Sequence, residues 1–368
     1  MIMELTGLEL KDFRNYEDLS LTFDKGTNIF YGGNAQGKTN ILEAIFLGCT
    51  SRSHRSVKDK ELIRFGAPEG HVKLLLNKNG IDYRIDLHIK KNRSKGIAVN
   101  GAALRKMSDL FGIARVIFFS PEDLSLIKNG PAERRRFLDT ELCQIDRIYT
   151  HDLISYNRVI DQKNKLLKKI CEKGKKTEEE SAVLSIYNEQ LCKYGASIIE
   201  ARERFIRDLS VIVKEKNKEL TDGAEDLSMT YEPDVKAKDL EKEILLSAER
   251  EERMGAAMTG PHRDDICFKV NGVDLRHFGS QGQQRTGALS LKLSEIALVE
   301  NATGEKPVLL LDDVLSELDR KRQDMLLSSL TGVQVFITST GIDDLIERRF
   351  RMDRIFFVDK GKVTDSVS

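Results

Sequence analysis

The sequence has no tryptophan and only six prolines in 368 residues, and its five cysteines are scattered. Cys49, Cys143, Cys171, Cys192 and Cys267 are odd in number and contain no Cys-x-x-Cys pair. That excludes a disulfide framework or a cysteine zinc site and leaves reduced, structural thiols. The six histidines show no ligand spacing either. No stretch reaches the roughly 18 uninterrupted apolar residues of a spanning helix, so no membrane partner is expected. The N-terminus, Met1-Ile2-Met3-Glu4-Leu5, runs straight into a strand pattern without the regions of a signal peptide, and a cytoplasmic location is expected. Charge excess is missing as well: 59 basic residues stand against 59 acidic ones. Proteins that hold polyanions are commonly basic overall, so any such contact here must come from local patches.

What the chain does contain is 40% hydrophobic and 32% charged residues, a composition of folded domains, and length enough for two or three of them. Leu19, Leu21 and Phe23 alternate with polar neighbours, as do Val72, Leu74 and Leu76 and then Ile81 to Ile89 beyond the turn Asn77-Lys78-Asn79-Gly80. These read as strands and a hairpin. From about Ala132 to Lys218 the texture is charged and helical. Leu184, Tyr187, Leu191, Tyr194, Ile198, Ala201, Phe205 and Ile212 fall at three- and four-residue steps, with Asp208 interrupting them. Together with a weaker stripe from Leu153 to Ile170, this predicts an antiparallel helical hairpin turning near Gly174. Helix and strand then alternate over the C-terminal hundred residues, including a helix at 343–349, which indicates a parallel sheet. The expectation is an α/β ATPase-type head made from 1–130 and 222–368, with an antiparallel β subdomain, and an inserted helical arm at 131–221.

Two segments carry chemistry. Gly32-Gly33-Asn34-Ala35-Gln36-Gly37-Lys38-Thr39, followed by Asn40, is a complete phosphate loop between an apolar strand and a helix. Its backbone N–H groups and the helix N-terminus suit the phosphates of ATP. Lys38 supplies a point charge and Thr39 a hydroxyl for Mg²⁺. Val308-Leu309-Leu310-Leu311-Asp312-Asp313 reads as a buried strand that delivers Asp312 to the sheet edge. On its own Asp312 could simply cap the next helix; beside a phosphate loop it reads as the Mg²⁺ carboxylate, with Asp313 placed to polarise water.

Between them, Gly279-Ser280-Gln281-Gly282-Gln283-Gln284-Arg285 opens the helix before the Asp312 strand, and Ser316-Glu317-Leu318-Asp319 follows that strand. The first resembles the L-S-G-G-Q signature of ABC-type ATPases and the second their D-loop. A serine-capped helix after a loop would explain the first segment alone; the order of all the motifs favours the signature. In ABC-type ATPases such a segment closes on ATP held by another protomer, so Ser280, Gln281 and Gly282 are expected to act in trans in a homodimer.

Further blocks narrow the resemblance. Leu10-Lys11-Asp12-Phe13-Arg14-Asn15-Tyr16, Arg52-Ser53-His54-Arg55, Phe119-Ser120-Pro121-Glu122-Asp123-Leu124, Pro131 through Arg134-Arg135-Arg136-Phe137-Leu138-Asp139, and Thr259-Gly260-Pro261-His262-Arg263-Asp264 resemble the RecF family. That resemblance implies an ATP-dependent dimer on double-stranded DNA or gapped and single-stranded junctions. It also implies work with RecR and RecO, help in loading RecA, and slow, DNA-stimulated hydrolysis in DNA repair, replication and the SOS response. Arg52, Arg55, Arg134 and Arg135 are the DNA-contact candidates, although Arg134 to Arg136 could instead be packing or ion pairs. A lysine run along the hairpin, from Lys163 to Lys176, could be a solvated face. The sequence departs from common patterns at Gly33 and Ala35 in the loop, at Asp313 where most ABC enzymes have glutamate, and at Thr338-Ser339-Thr340, where a transporter has histidine. Rival readings are an SMC-type chromosome protein, whose long arm and zinc hook are absent, a transporter subunit, and an ATP-gated scaffold that does not hydrolyse.

Overall fold

Apolar alternation near the N-terminus and continuous apolar runs near the C-terminus produce two different sheets in one compact unit, Met1–Asp123 with Lys292–Ser368. A second unit comprises Leu124–Leu291. The computed structural model describes residues 3–55, 58–105, 109–330, 332–341 and 351–365. In chain order the first unit opens with β1 (Met3–Phe13), β2 (Tyr16–Thr22), β3 (Thr27–Tyr31), α1 (Lys38–Thr50), β4 (Glu69–Lys78), β5 (Ile81–Lys90), β6 (Arg93–Val99), β7 (Ala102–Ala103) and β8 (Val116–Phe119). The second contains α2 (Leu124–Lys128), α3 (Pro131–Ile145), α4 (Arg147–Lys173), α5 (Glu178–Thr221), β9 (Leu227–Glu232), α6 (Leu240–Met254), β10 (Asp265–Val270), β11 (Val273–Asp274) and α7 (Leu275–Phe278). The chain passes back along α8 (Gln281–Thr303) to β12 (Val308–Asp312), α9 (Arg320–Ser329), β13 (Val335–Ser339), β14 (Arg354–Asp359) and β15 (Lys362–Asp365). The helix expected at 343–349 lies outside the described residues.

In the first unit β2-β1-β4-β5-β6-β7 form an antiparallel sheet with one face buried, and β15-β14-β3-β13-β12-β8 form a sheet that is parallel apart from β15. Between them runs α1, with Ile41, Leu42, Ala44, Ile45 and Leu47 all inaccessible. A helix without a polar side has to be covered all round; α1 meets β4 and β5 on one side and β8, β12 and β13 on the other. Gly48 permits the approach, since a Cβ there would come within 2.9 Å of Leu74 Cδ2. The parallel register pairs Asp312 with Thr338 and Ser339 with Tyr31. The chain after β3 and the ends of β12 and β13 therefore share the carboxyl edge, where open α/β sheets bind ligands.

The second unit is wider than the helical insertion expected at 131–221, because β9 packs on α5 and α6 packs on both α4 and α5. α6 lies beyond the span of the expected helical insertion. The hairpin itself is present: Gly174 ends α4 with a φ of 70°, and Thr177 and Glu180 form a capping box at the start of α5. Leu184, Leu191, Ile198, Ala201 and Phe205 are buried as their spacing predicts, but beyond Phe205 the covered face passes to Leu209 and Val213, leaving Ile212 half-buried. A straight helix drifts away from a seven-residue repeat, so Asp208 lies beside the buried stripe rather than interrupting it. The lysine run is not uniformly solvated: Lys163 is buried against Glu251 at 2.6 Å.

Candidate nucleotide site

The loop after β3 is shaped by positions where side chains cannot fit. Gly32 has a φ of 149°, and a Cβ there would sit 2.2 Å from the Val358 carbonyl oxygen. Gly37 has a φ of 115°, with Asn15 Nδ2 2.5 Å from where its Cβ would be. Gly33, Asn34 and Ala35 are exposed, Gln36, Thr39 and Asn40 half-buried, and Ala35 takes a left-handed φ of 62° where glycine is common. Gly37 is the N-cap of α1 without a side-chain cap, so first-turn backbone donors remain for an anion.

Lys38 is 7% exposed, and its Nζ donates to the carbonyl oxygens of Gly32 and Gly33 at 2.6 and 2.7 Å. Burial pushes its pKa down, opposed by the charges of Asp313 and Asp312. Thr39 Oγ1 donates to Asp312 Oδ1 at 2.8 Å, and Thr338 Oγ1 donates to the same oxygen at 2.7 Å. Burial raises the Asp312 carboxyl above the usual range, against the pull of those two hydroxyls. One hydroxyl and one carboxylate in contact make a hard-oxygen pair that suits Mg²⁺, which needs few protein ligands. The neighbouring Asp313 is half-buried with a φ of 52°, and its N–H donates to Thr338 Oγ1 at 2.9 Å. The Thr338 hydroxyl thus holds the Asp312 carboxylate and the Asp313 backbone N–H together. Thr338 reaches this position because β12 and β13 pair in parallel register, with Asp312 opposite Thr338.

A second set of residues, not singled out individually, braces the loop from outside. Asn15 Nδ2 donates to Gln36 O at 3.1 Å and Asn40 Nδ2 to Asn15 Oδ1 at 2.7 Å. Tyr16, fully buried, donates its hydroxyl to Gly37 O at 3.1 Å. The β14–β15 turn adds Gly361 N–H to Gln36 O and Lys360 N–H to Gln36 Oε1, at 3.1 and 2.6 Å. Arg14 grips the buried Glu43 with two bonds of 2.7 Å, and Ser53 donates to that carboxylate at 2.5 Å. Residues from separate sequence blocks thereby hold one helix in place.

Ser280, Gln281 and Gly282 belong to the second unit and are all exposed. Ser280 caps α8: its Oγ accepts from Gln283 N–H at 3.2 Å, and its own N–H donates to Gln283 Oε1 at 3.0 Å. Helix capping is therefore real, and it leaves the segment on the surface.

Of the arginines expected to meet DNA, Arg134 needs correction. It is 2% exposed, forms a two-pronged pair with Asp265 at 2.5 and 2.9 Å, and donates to the carbonyls of Leu126 and Asn129. A guanidinium so enclosed cannot reach a phosphate. Arg135 is half-buried with one donor on Asp264 O. Arg52 and Arg55 are exposed, and the charge of Arg55 is felt at Asp312.

Comparison with known proteins agrees with this geometry. The family described as RecF/RecN/SMC N terminal domain matches residues 4–364. The chain is 49% identical over 361 residues to the DNA replication and repair protein RecF of Lachnoclostridium phytofermentans, covering 98% of this chain and 99% of that one. It is 50% identical over 365 residues to the protein of the same name from Lachnospira eligens, covering 99% of each. A solved structure of the recombination mediator protein RecF with ATP superposes with a TM-score of 0.91 at 37% identity, covering 99% of this chain and 98% of that one. An Smc head domain from Pyrococcus furiosus shares the fold, with a TM-score of 0.56 at 17% identity over 99% of this chain and 96% of that one.

Proposed function

Because this chain belongs to the RecF family, we propose that it is an ATP-switched DNA repair protein that dimerises around ATP on DNA. The observation that carries this reading is the contact between Thr39 and Asp312, the loop hydroxyl and the strand-end carboxylate, at 2.8 Å. These two would hold Mg²⁺, which neutralises charge on the phosphates when bound. Lys38 and the α1 N-terminus bind and orient the ATP phosphates. Asp313, set by Thr338, takes the proton of the attacking water.

The partner protomer contributes Ser280, Gln281 and Gly282, whose exposure supports a role across an interface. ATP binding closes the dimer and hydrolysis opens it. Aspartate reaches less far than glutamate, which fits slow turnover, and membership of the RecF family implies that DNA stimulates it. The dimer engages double-stranded DNA at gaps or junctions, with Arg52, Arg55 and Arg135 as phosphate contacts. Such contacts make binding salt-dependent and largely indifferent to sequence. RecR, with RecO, is the proposed partner, and loading of RecA the outcome.

Replacing Asp313 with asparagine separates switch from scaffold. Asp313→Asn should bind ATP as tightly as the parent, while phosphate release with duplex DNA falls by on the order of 10²-fold or more. Unchanged release would remove Asp313 from catalysis; no ATP-dependent release in the parent would favour a scaffold that does not hydrolyse.

A further inference from the structure

Two histidines 17 positions apart in sequence, His71 and His88, are directly paired across β4 and β5. Their rings stack with centroids 4.1 Å apart and planes 22° apart. Glu69 lies two residues before His71 on the same face of β4, as strand alternation requires. Its carboxylate oxygens stand 3.6 Å from His71 Nε2 and 2.9 Å from His88 Nε2. One ligand atom from each of the three residues lies within 4.8 Å of the others.

We propose that Glu69, His71 and His88 form a divalent transition-metal site, with Zn²⁺ as the ion it takes. Two imidazoles and one carboxylate are a zinc donor set, with a fourth position left for water or a further ligand. Ligand atoms around a tetrahedral zinc lie about 3.4 Å apart, given bonds of about 2.1 Å. Side chains on this sheet face are a third to nearly half exposed, so they are free to close the set by about an ångström.

The backbone also makes room. Across from His88 on β6 is Gly96, and the nearest atom to a Cβ built there is His88 Cβ at 4.0 Å. The β5–β6 register shifts between His88 and Lys90, an irregularity of the kind that re-aims side chains. Lys90 Nζ, 3.8 Å from Glu69 Oε2, is the cation that zinc displaces. Nothing in this proposal depends on the nucleotide site, which offers only hard oxygens.

Titration calorimetry with ZnCl₂ in excess Mg²⁺, which saturates oxygen sites, tests it on the full chain. The expected result is one zinc per chain, with affinity at least about tenfold weaker in each of His71→Gln, His88→Gln and Glu69→Gln, since even indirect partners of metal ligands matter that much. Circular dichroism confirms folding, and His151→Gln, an exposed histidine elsewhere, should bind as the parent does. No zinc binding by the parent, binding unchanged in the three variants, or binding lost only with Cys171→Ser would each overturn the assignment.

Discussion

Lys38→Met is expected to leave the protein folded and to abolish its response to ATP. The ammonium is almost wholly buried and held by two loop carbonyls. Removing it loses two hydrogen bonds but also the cost of desolvating a charge, and these effects oppose one another. Without nucleotide, stability should therefore stay within about 1 kcal/mol. With nucleotide the difference is large. Ligand at a hundred times its Kd stabilises a fold by about 2.7 kcal/mol; this gain should vanish from thermal melts of the variant. Phosphate release should drop on the order of 10³-fold, as when an aligned electrostatic donor is removed. ATP-dependent dimers should disappear as well. A variant that still gained melting temperature with ATP would place the phosphates elsewhere.

The largest stability effect is expected far from ATP, at Arg202→Met in α5. Arg202 is 2% exposed and binds Tyr149 OH at 3.0 Å, Pro261 O at 2.7 Å, and Asp264 and Asp139 at 2.8 Å each. Tyr231 OH also donates to Asp264. One guanidinium thus ties α3, α4, α5 and the loop before β10 together. Deleting it leaves Asp264 and Asp139 their hydrogen bonds from Tyr231, Asp234 and Tyr149 but removes the cation paired with them, and breaking such a buried pair typically costs about 3–5 kcal/mol. Denaturant unfolding measures this.

The loss should depend on pH with a definite sign. Burial already raises the Asp264 carboxyl above its usual range, despite Arg202, and removing the cation raises it further. A carboxyl with a raised folded pKa binds its proton more tightly in the folded state, so stability falls as pH climbs from the ordinary aspartate value through the folded one. The variant should therefore recover stability on mild acidification, and adding Asp264→Asn should recover part of it at neutral pH. A deficit independent of pH would show that packing, not the stranded charge, dominates.

The strand–loop–helix of the first unit was legible because a phosphate-loop pattern sets residue types at fixed spacing. Gly32 through Thr39 and Asp312 could be read without coordinates. Thr338 could not be, because its role comes from the pairing of β12 with β13 and not from any local pattern. Asn15 and Tyr16 were visible only as pieces of a resemblance; with Glu43 they brace the loop and α1 through contacts distant in sequence. Arg134 misled for a related reason. A run of three arginines looks like a basic patch, but successive residues on a helix point about 100° apart, and the middle of the fold takes one of them. Likewise His71 and His88 have no ligand spacing along the chain and acquire one only across a hairpin. The α5 stripe was readable up to Phe205 and then drifted, as a straight helix must.

ATP held by one protomer should be closed in by Ser280 of another. Ser280→Arg tests it most directly, because the residue is exposed and its replacement costs about 1 kcal/mol of helix capping rather than the fold. Sedimentation with saturating ATP should show a dimer for the parent and a monomer for Ser280→Arg, with equal nucleotide affinity for the two at protein concentrations too low for either to dimerise. A Ser280→Arg protein that dimerises on ATP as readily as the parent would contradict the account.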